Sequence, residues 1–357
     1  MAAFSCQSSF LFQCSSRRRI EHELHSAGIR ATKSSKIGIL SQDHDKALSL
    51  ANPIVDINAR PLVKQFRQNI PKKRQLSDPY RLGMLVDGGV EYRQTLVVRS
   101  NEVGPDQNMT LDSLLHLFQE TALNHVWNSG EMKEYGTTHG MVKHNLIWVI
   151  SRMIVQIDHY PIWGEVIEID TWVGASGKHG MSRDWLLRSK ATGIILVRAT
   201  STFVMMNKHT RRLSKIPEDA REELTQWFTE KQAVEESYTE IRKLNDNACK
   251  FNIELKPKRC DLDMNHHVNY AKYAKWMIET VPEEFLENHQ LAQIALEYRR
   301  ECGTSDIVQS LCEPHEHGGP NGNRALQTTY THLLRIKGDH KYDELVRGKT
   351  TWKYKHE

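Results

Sequence analysis

The densest run of reactive side chains is Asp261-Leu-Asp263-Met-Asn265-His266-His267-Val-Asn269. It falls between an expected strand and an expected helix. The first amides of a helix have no partner there, and the helix dipole favours negative charge. A carboxylate, a carboxamide and an imidazole at alternate positions (Asp263, Asn265, His267) point to one side only if the segment is extended. Together they supply a nucleophile or acid, a donor for a developing oxyanion and a general base. Asp, Asn and His are also common ahead of helices as caps, so a capping cluster accounts for the same residues.

A second candidate is Tyr298-Arg299-Arg300-Glu301-Cys302. On a strand, Glu301 and Cys302 would face opposite ways. Gly303 marks a place for the strand to end, which would free both. Glu301 could act as a base and Cys302 as a nucleophile, although a lone Cys on a strand more often packs in a core.

These residues need elements to hold them. Val90, Tyr92, Thr95, Val97 and Val98 predict a first strand. Thr110 is placed as an N-cap, Leu111, Leu114, Leu115, Phe118, Ala122 and Val126 recur at helical spacing, and Gly130 ends the helix. Strands are expected over 146–157, 165–173, 184–188 and 194–206, with a turn at Thr192-Gly193. An acidic helix follows from Glu218. The order then repeats: a strand over 251–256, a helix over 269–280 stopped by Pro282, and strands over 296–301, 307–311, 325–336 and 344–352. Helices do not alternate with the later strands, so a parallel α/β sheet is excluded. The expected class is α+β, two units each with one long helix on an antiparallel sheet.

The chain has 357 residues, 39% hydrophobic and 26% charged, with a formal net charge of +4. That is a globular composition, with no apolar run near the roughly 18 residues of a membrane helix. No basic block with interleaved aromatics marks a nucleic-acid module. The first 20 residues contain no Asp or Glu, are rich in serine and end Arg17-Arg-Arg-Ile20. This is the composition of an organellar transit peptide. The cysteines (Cys6, Cys14, Cys249, Cys260, Cys302, Cys312) form no C-x-x-C pair, which fits a reducing compartment. Cys312, His315 and His317 could gather a metal, but a solvated hairpin tip explains them as well; neither metal nor cofactor is expected.

The Asp261–Asn269 stretch, with Tyr273 and Trp276 after it, resembles the signature of hot-dog thioesterases. Several further stretches narrow the resemblance to the plant fatty acyl-ACP thioesterases. They are Leu296-Glu-Tyr-Arg-Arg-Glu-Cys-Gly303, Gln119-Glu-Thr-Ala-Leu-Asn-His-Val126, Asn145-Leu-Ile-Trp-Val149, Met205-Met-Asn-Lys208 and Thr210-Arg-Arg-Leu-Ser-Lys-Ile-Pro217. The resemblance implies two tandem hot-dog domains and hydrolysis of the thioester between a fatty acid and acyl carrier protein (ACP) in the plastid stroma. The corresponding organisation is 1–80 as transit peptide and linker, 81–228 as an acyl-binding domain, 229–246 as a connector and 247–357 as a catalytic domain. The catalytic set it carries over is Asp263, Asn265, His267 and Glu301: the aspartate attacks, the asparagine holds it, and the histidine and glutamate ready the water. An alternative, papain-like set is Cys302, His267 and Asn265. The carboxylate scheme is preferred because a water-activating base needs no covalent thiolate.

Departures from the family pattern are His266 in place of glutamine, Tyr270 in place of a second asparagine and Lys275 in place of glycine. Gly174-Ala-Ser-Gly-Lys178 and Arg212-Leu-Ser-Lys-Ile-Pro217 resemble the B class, which favours saturated chains, although the apolar anchor segment usual in that class is not found. The implied partner is ACP carrying a fatty acyl chain, with a homodimer also allowed. ACP is acidic, so Lys208, Arg211, Arg212, Lys215, Lys256, Lys258 and Arg259 are candidates for a basic rim, an ordinary solvated face being the alternative. Phe118, Trp127 and Met132 are candidates to line an acyl tunnel, with core packing the alternative for each. Two other activities share the fold: an acyl-binding protein without chemistry, and a hydroxyacyl dehydratase.

Overall fold

The structure is a computed structural model. It describes residues 83–130, 136–177, 179–235, 240–244, 251–264, 266–315, 328–338 and 341–355. The leader and Asn265, Lys178, Met132 and His317 lie outside the described residues.

The first long helix, α1 (Leu111–Ser129), has the limits its ends dictate. The Thr110 hydroxyl accepts from the Ser113 amide at 3.2 Å, and Gly130 closes the helix at φ 76°. Leu114, Leu115 and Phe118 are fully buried, each contributing roughly 1.5–3 kcal/mol by leaving water. Phe118 stacks on Trp185 at 5.3 Å between ring centroids, a core contact.

Around α1 run β1 (Gly83–Val86), β2 (Glu91–Val97), β3 (Leu146–Ile157), β4 (Val166–Ser176), β5 (Gly180–Ser189) and β6 (Ile195–Asn207), with β7 (Leu213–Ser214) at the edge of β6. Two short helices, α2 (His139–Lys143) and α3 (Glu218–Thr225), pack on each other. The second half has β8 (Phe251–Leu255), α4 (Tyr270–Ile278), α5 (Glu283–Asn288), β9 (His289–Tyr298), β10 (Val308–His315), β11 (Thr328–Lys337) and β12 (Tyr342–Tyr354). Among the described residues the pairings between these strands are antiparallel. The strand order is β1-β2-β4-β5-β6-β3-β9-β12-β11-β10-β8, one continuous sheet. Its halves join where β3 pairs with β9, Met153 opposite Leu296 and Val155 opposite Ile294.

The two helices lie side by side on one face. The Tyr270 hydroxyl donates to the Leu115 carbonyl, Asn269 Nδ2 donates to Gln119 Oε1 at 3.1 Å, and Lys272 Nζ meets Asp112 Oδ2 at 3.1 Å. Trp185 faces α1, its indole N–H donating to the Phe118 carbonyl at 3.0 Å. Asp184, one residue earlier, therefore faces the opposite side. There its carboxylate accepts from the Ala233 amide at 2.9 Å, and the Ile241 amide bonds Glu297 at 3.1 Å. The described parts of the charged stretch after α3, 229–235 and 240–244, thus lie on the outer face of the sheet, burying Val234, Ile241 and Leu244.

Two sequence expectations need correction. The last strand before Glu301 ends at Tyr298 rather than Glu301, because Arg299 and Arg300 both turn their amides onto the Leu345 carbonyl. Pro282 does not simply stop the chain's helical run; it heads a further short helix, α5, on the way into β9. On β4, Glu168 and Asp170 share one face. Both are buried, Arg93 meeting Asp170 at 2.7 Å and Arg188 reaching both carboxylates.

Candidate active site

The polar stretch before α4 is a tight hairpin turn, not an extended segment. Leu262 and Val268 bridge antiparallel, the Asp263 amide donates to the His267 carbonyl at 2.8 Å, and the His266 amide returns to the Asp263 carbonyl at 3.1 Å. His266 takes a left-handed φ of 65°, which turns the chain back on itself. Asp263 and His267 therefore meet not by alternation along an extended segment but across a turn. The Asp263 carboxylate accepts from the His267 amide at 3.3 Å.

The turn is tied at its base to the second candidate segment. The Val268 amide donates to the Cys302 carbonyl at 3.0 Å, and the Asn269 amide to the Asp261 carbonyl at 2.8 Å. Asn269 then caps α4, its side chain accepting from the Ala271 amide at 2.9 Å. These bonds bring two stretches more than thirty residues apart in the chain to one place. His267 Nδ1 lies 3.4 Å from Glu301 Oε2, both side chains being about one-third exposed (36% and 38%).

Glu301 has a second partner that spacing did not indicate. Arg211 Nε donates to Glu301 Oε1 at 2.9 Å, and its Nη2 donates to Oε2. Arg211 was expected on the carrier-binding rim; here its guanidinium is engaged with the candidate base. The pair bridges 90 residues of sequence, and no local pattern announces it.

Cys302 sits differently. It is 2% exposed, its Sγ 3.5 Å from the Tyr273 hydroxyl, which also accepts from the Cys302 amide at 3.2 Å. Burial pushes the thiol up to about 11; the hydrogen bond to Tyr273 works against that, and the charges of Asp306, Asp261 and Glu301 add to it. Burial also raises the Tyr273 phenol well above its ordinary range. Cys312 is buried and donates to the Thr280 carbonyl at 3.3 Å, and His315 Nε2 lies 2.9 Å from the Thr331 hydroxyl.

The Gln119–Val126 stretch serves the interior. Gln119 holds the α4 cap, while His125 Nδ1 accepts from the buried Arg183 at 3.1 Å; burial first, and then the Arg183 charge, keep His125 neutral. Among the described residues no helix is long and apolar enough to cross a membrane.

A helix laid on an antiparallel sheet, twice over in a single chain, with 19 residues in α1 and 9 in α4, is the tandem hot-dog architecture, and the polar turn heads the second helix. The acyl-ACP thioesterase N-terminal domain matches residues 89–224 and the acyl-ACP thioesterase C-terminal domain residues 244–354. A chloroplastic palmitoyl-acyl carrier protein thioesterase of Gossypium hirsutum is 45% identical over 282 residues, covering 78% of this chain and 68% of the relative. A chloroplastic oleoyl-acyl carrier protein thioesterase of Arabidopsis thaliana is 41% identical over 294 residues, covering 78% and 81%. The solved 12:0-ACP thioesterase of Umbellularia californica superposes with a TM-score of 0.69 at 39% identity, covering 75% of this chain and 95% of that one. The chain belongs to the acyl-ACP thioesterase family.

Proposed function

We propose that this protein hydrolyses fatty acyl-ACP thioesters to free fatty acid and ACP in the plastid stroma, ending chain growth, with Asp263, Asn265, His267 and Glu301 as its catalytic set. Family membership favours this reading over an acyl-binding protein or a dehydratase. The relatives are named chloroplastic, in keeping with the acid-free, Arg-ending leader.

The observation that carries the catalytic assignment is the meeting of His267 and Glu301 at 3.4 Å beside a turn that also holds Asp263. In this scheme an Asp263 oxygen attacks the thioester carbonyl, the C–S bond breaks and the sulfur of ACP leaves. Water then attacks the resulting acyl anhydride. The His267 ring takes the water proton while Glu301 stabilises the charged imidazole, and that proton goes on to the departed thiolate. The fatty acid is released and the Asp263 carboxylate restored. Cys302 is left out: a thiol held at about 11 in the core is almost wholly protonated near neutrality.

The test is hydrolysis of acyl-ACPs of graded length and unsaturation by wild type, Glu301→Ala and Cys302→Ala. Release of free fatty acid that disappears in Glu301→Ala and persists in Cys302→Ala is the expected result. Full loss in Cys302→Ala with little loss in Glu301→Ala overturns the carboxylate scheme, and no release by wild type overturns the hydrolase reading.

A further inference from the structure

We infer that Arg211 is a positioning residue that fixes the Glu301 carboxylate for His267, and through it links the first half of the molecule to the chemistry of the second. The inference rests on Glu301 acting as proposed above. Arg211 grips both oxygens of Glu301, and Oε2 is the same oxygen that stands 3.4 Å from His267 Nδ1. A two-point guanidinium–carboxylate contact sets the plane of the carboxylate as well as its position, which a lysine cannot do. With Nδ1 turned to Glu301, Nε2 is the ring nitrogen left for water.

The segment carrying Arg211 is built for this. It is the turn between β6 and β7, where Arg211 takes a left-handed φ of 57°, unusual for a residue with a side chain. The conformation is locked from several sides. The Arg211 amide donates to the Asn207 carbonyl at 2.9 Å, and the Asn207 amide to the Arg212 carbonyl at 2.9 Å. The Asn207 side chain accepts from the amides of His209 at 3.1 Å and Thr210 at 2.9 Å. The Lys208 amide ties the turn to the Asn145 carbonyl at 2.8 Å. Arg211 and Glu301 are about one-third exposed (33% and 38%), and ion pairs so exposed add little to stability. A strained, over-determined turn that delivers a weakly stabilising ion pair is explained by what that ion pair orients.

The experiment compares Arg211→Met, Arg211→Lys, Glu301→Gln and the Arg211→Met/Glu301→Gln double variant on a saturated long-chain acyl-ACP, with thermal midpoints recorded for each. The expected result for Arg211→Met is a fall in kcat of about 10- to 100-fold with KM and its salt dependence unchanged, only partial recovery in Arg211→Lys, and no further loss when Arg211→Met is added to Glu301→Gln. Arg211→Lys keeps the charge and gives the same reading if Arg211→Met does not fold: the proposal expects a reduced kcat. A raised, salt-sensitive KM with normal kcat in either variant overturns the proposal in favour of a carrier-docking cation, as do additive losses in the double variant. Full activity in Arg211→Met beside an inactive Glu301→Gln overturns the proposal alone. Full activity in Glu301→Gln overturns the catalytic reading on which it rests.

Discussion

Asp263 and His267 are bonded to each other twice through a tight turn: the Asp263 amide donates to the His267 carbonyl at 2.8 Å, and the His267 amide to the Asp263 carboxylate at 3.3 Å. Two groups of complementary chemistry are held at a fixed spacing by the backbone itself. The residue that makes the turn possible is His266, at φ 65°.

Residue 266 is therefore expected to be judged by its backbone before its side chain. His266→Gly and His266→Asn adopt left-handed φ readily and should keep most of the activity. His266→Val should strain the turn by roughly 1–3 kcal/mol, lowering kcat and bringing the thermal midpoint down by a few degrees. Steady-state kinetics on acyl-ACP with parallel thermal melts checks this; equal activity in Val and Gly variants would show that the turn geometry does not matter.

Cys302 is expected to resist alkylation in the folded protein. With the thiol at about 11, roughly one part in a thousand is thiolate at pH 8, and the group is buried besides. Cys260 is exposed and serves as the internal reference. Iodoacetamide labelling followed by mass spectrometry should modify Cys260 promptly and Cys302 only after denaturation. Fast labelling of Cys302 accompanied by loss of activity would restore the thiol scheme.

The exposed cations on either side of the site (Lys208, Arg212 and Lys215 after β6; Lys256, Lys258 and Arg259 after β8) should guide an acidic carrier. Reversing two of them, Lys258→Glu with Arg259→Glu, is expected to raise KM for acyl-ACP by about fivefold or more while kcat stays within about twofold. The wild-type kcat/KM should fall as salt rises through screening lengths of about 10 Å. A KM that responds to neither salt nor charge reversal would remove the rim from the binding surface.

Asp112 gives the contact between α1 and α4 a pH dependence. Hydrogen bonds from His116 first and then Lys272, with some opposition from burial, hold its carboxyl down to about 2, against 3.8 for the free group. A carboxylate depressed in the folded state stabilises it fully above the unfolded value near 3.8. That contribution is lost as pH falls from there through about 2. Because the group is partly exposed, screening reduces its worth to about 1 kcal/mol. Urea unfolding should find Asp112→Asn less stable than wild type by about that much at pH 6–7, with the gap closing toward pH 2. A gap that does not change with pH would assign the effect to packing.

Much of the frame could be read from the chain alone, because its signals are local. Thr110 and Gly130 bound α1, the apolar run Leu146–Ile157 is β3 at both ends, and Glu218 begins α3. Capping, periodicity and glycine turns act within a few residues, so they survive in a one-dimensional reading. Glu301 could be singled out as a base from its type and place, and family resemblance put it in the catalytic set, but its strand was drawn three residues too long because the Leu345 carbonyl that captures Arg299 and Arg300 is distant in sequence.

What only the folded chain decided is which of these elements meet. Nothing local pairs β3 with β9 to make one sheet of two halves, sets Gln119 against Asn269, or carries Arg211 across 90 residues to Glu301. Nor does composition tell a buried Cys302 from a reactive one. The residue types for thioester chemistry were written in the sequence. Their distances, their burial and the guanidinium that holds the carboxylate arise from long-range packing, where the energy of each contact depends on groups far away along the chain.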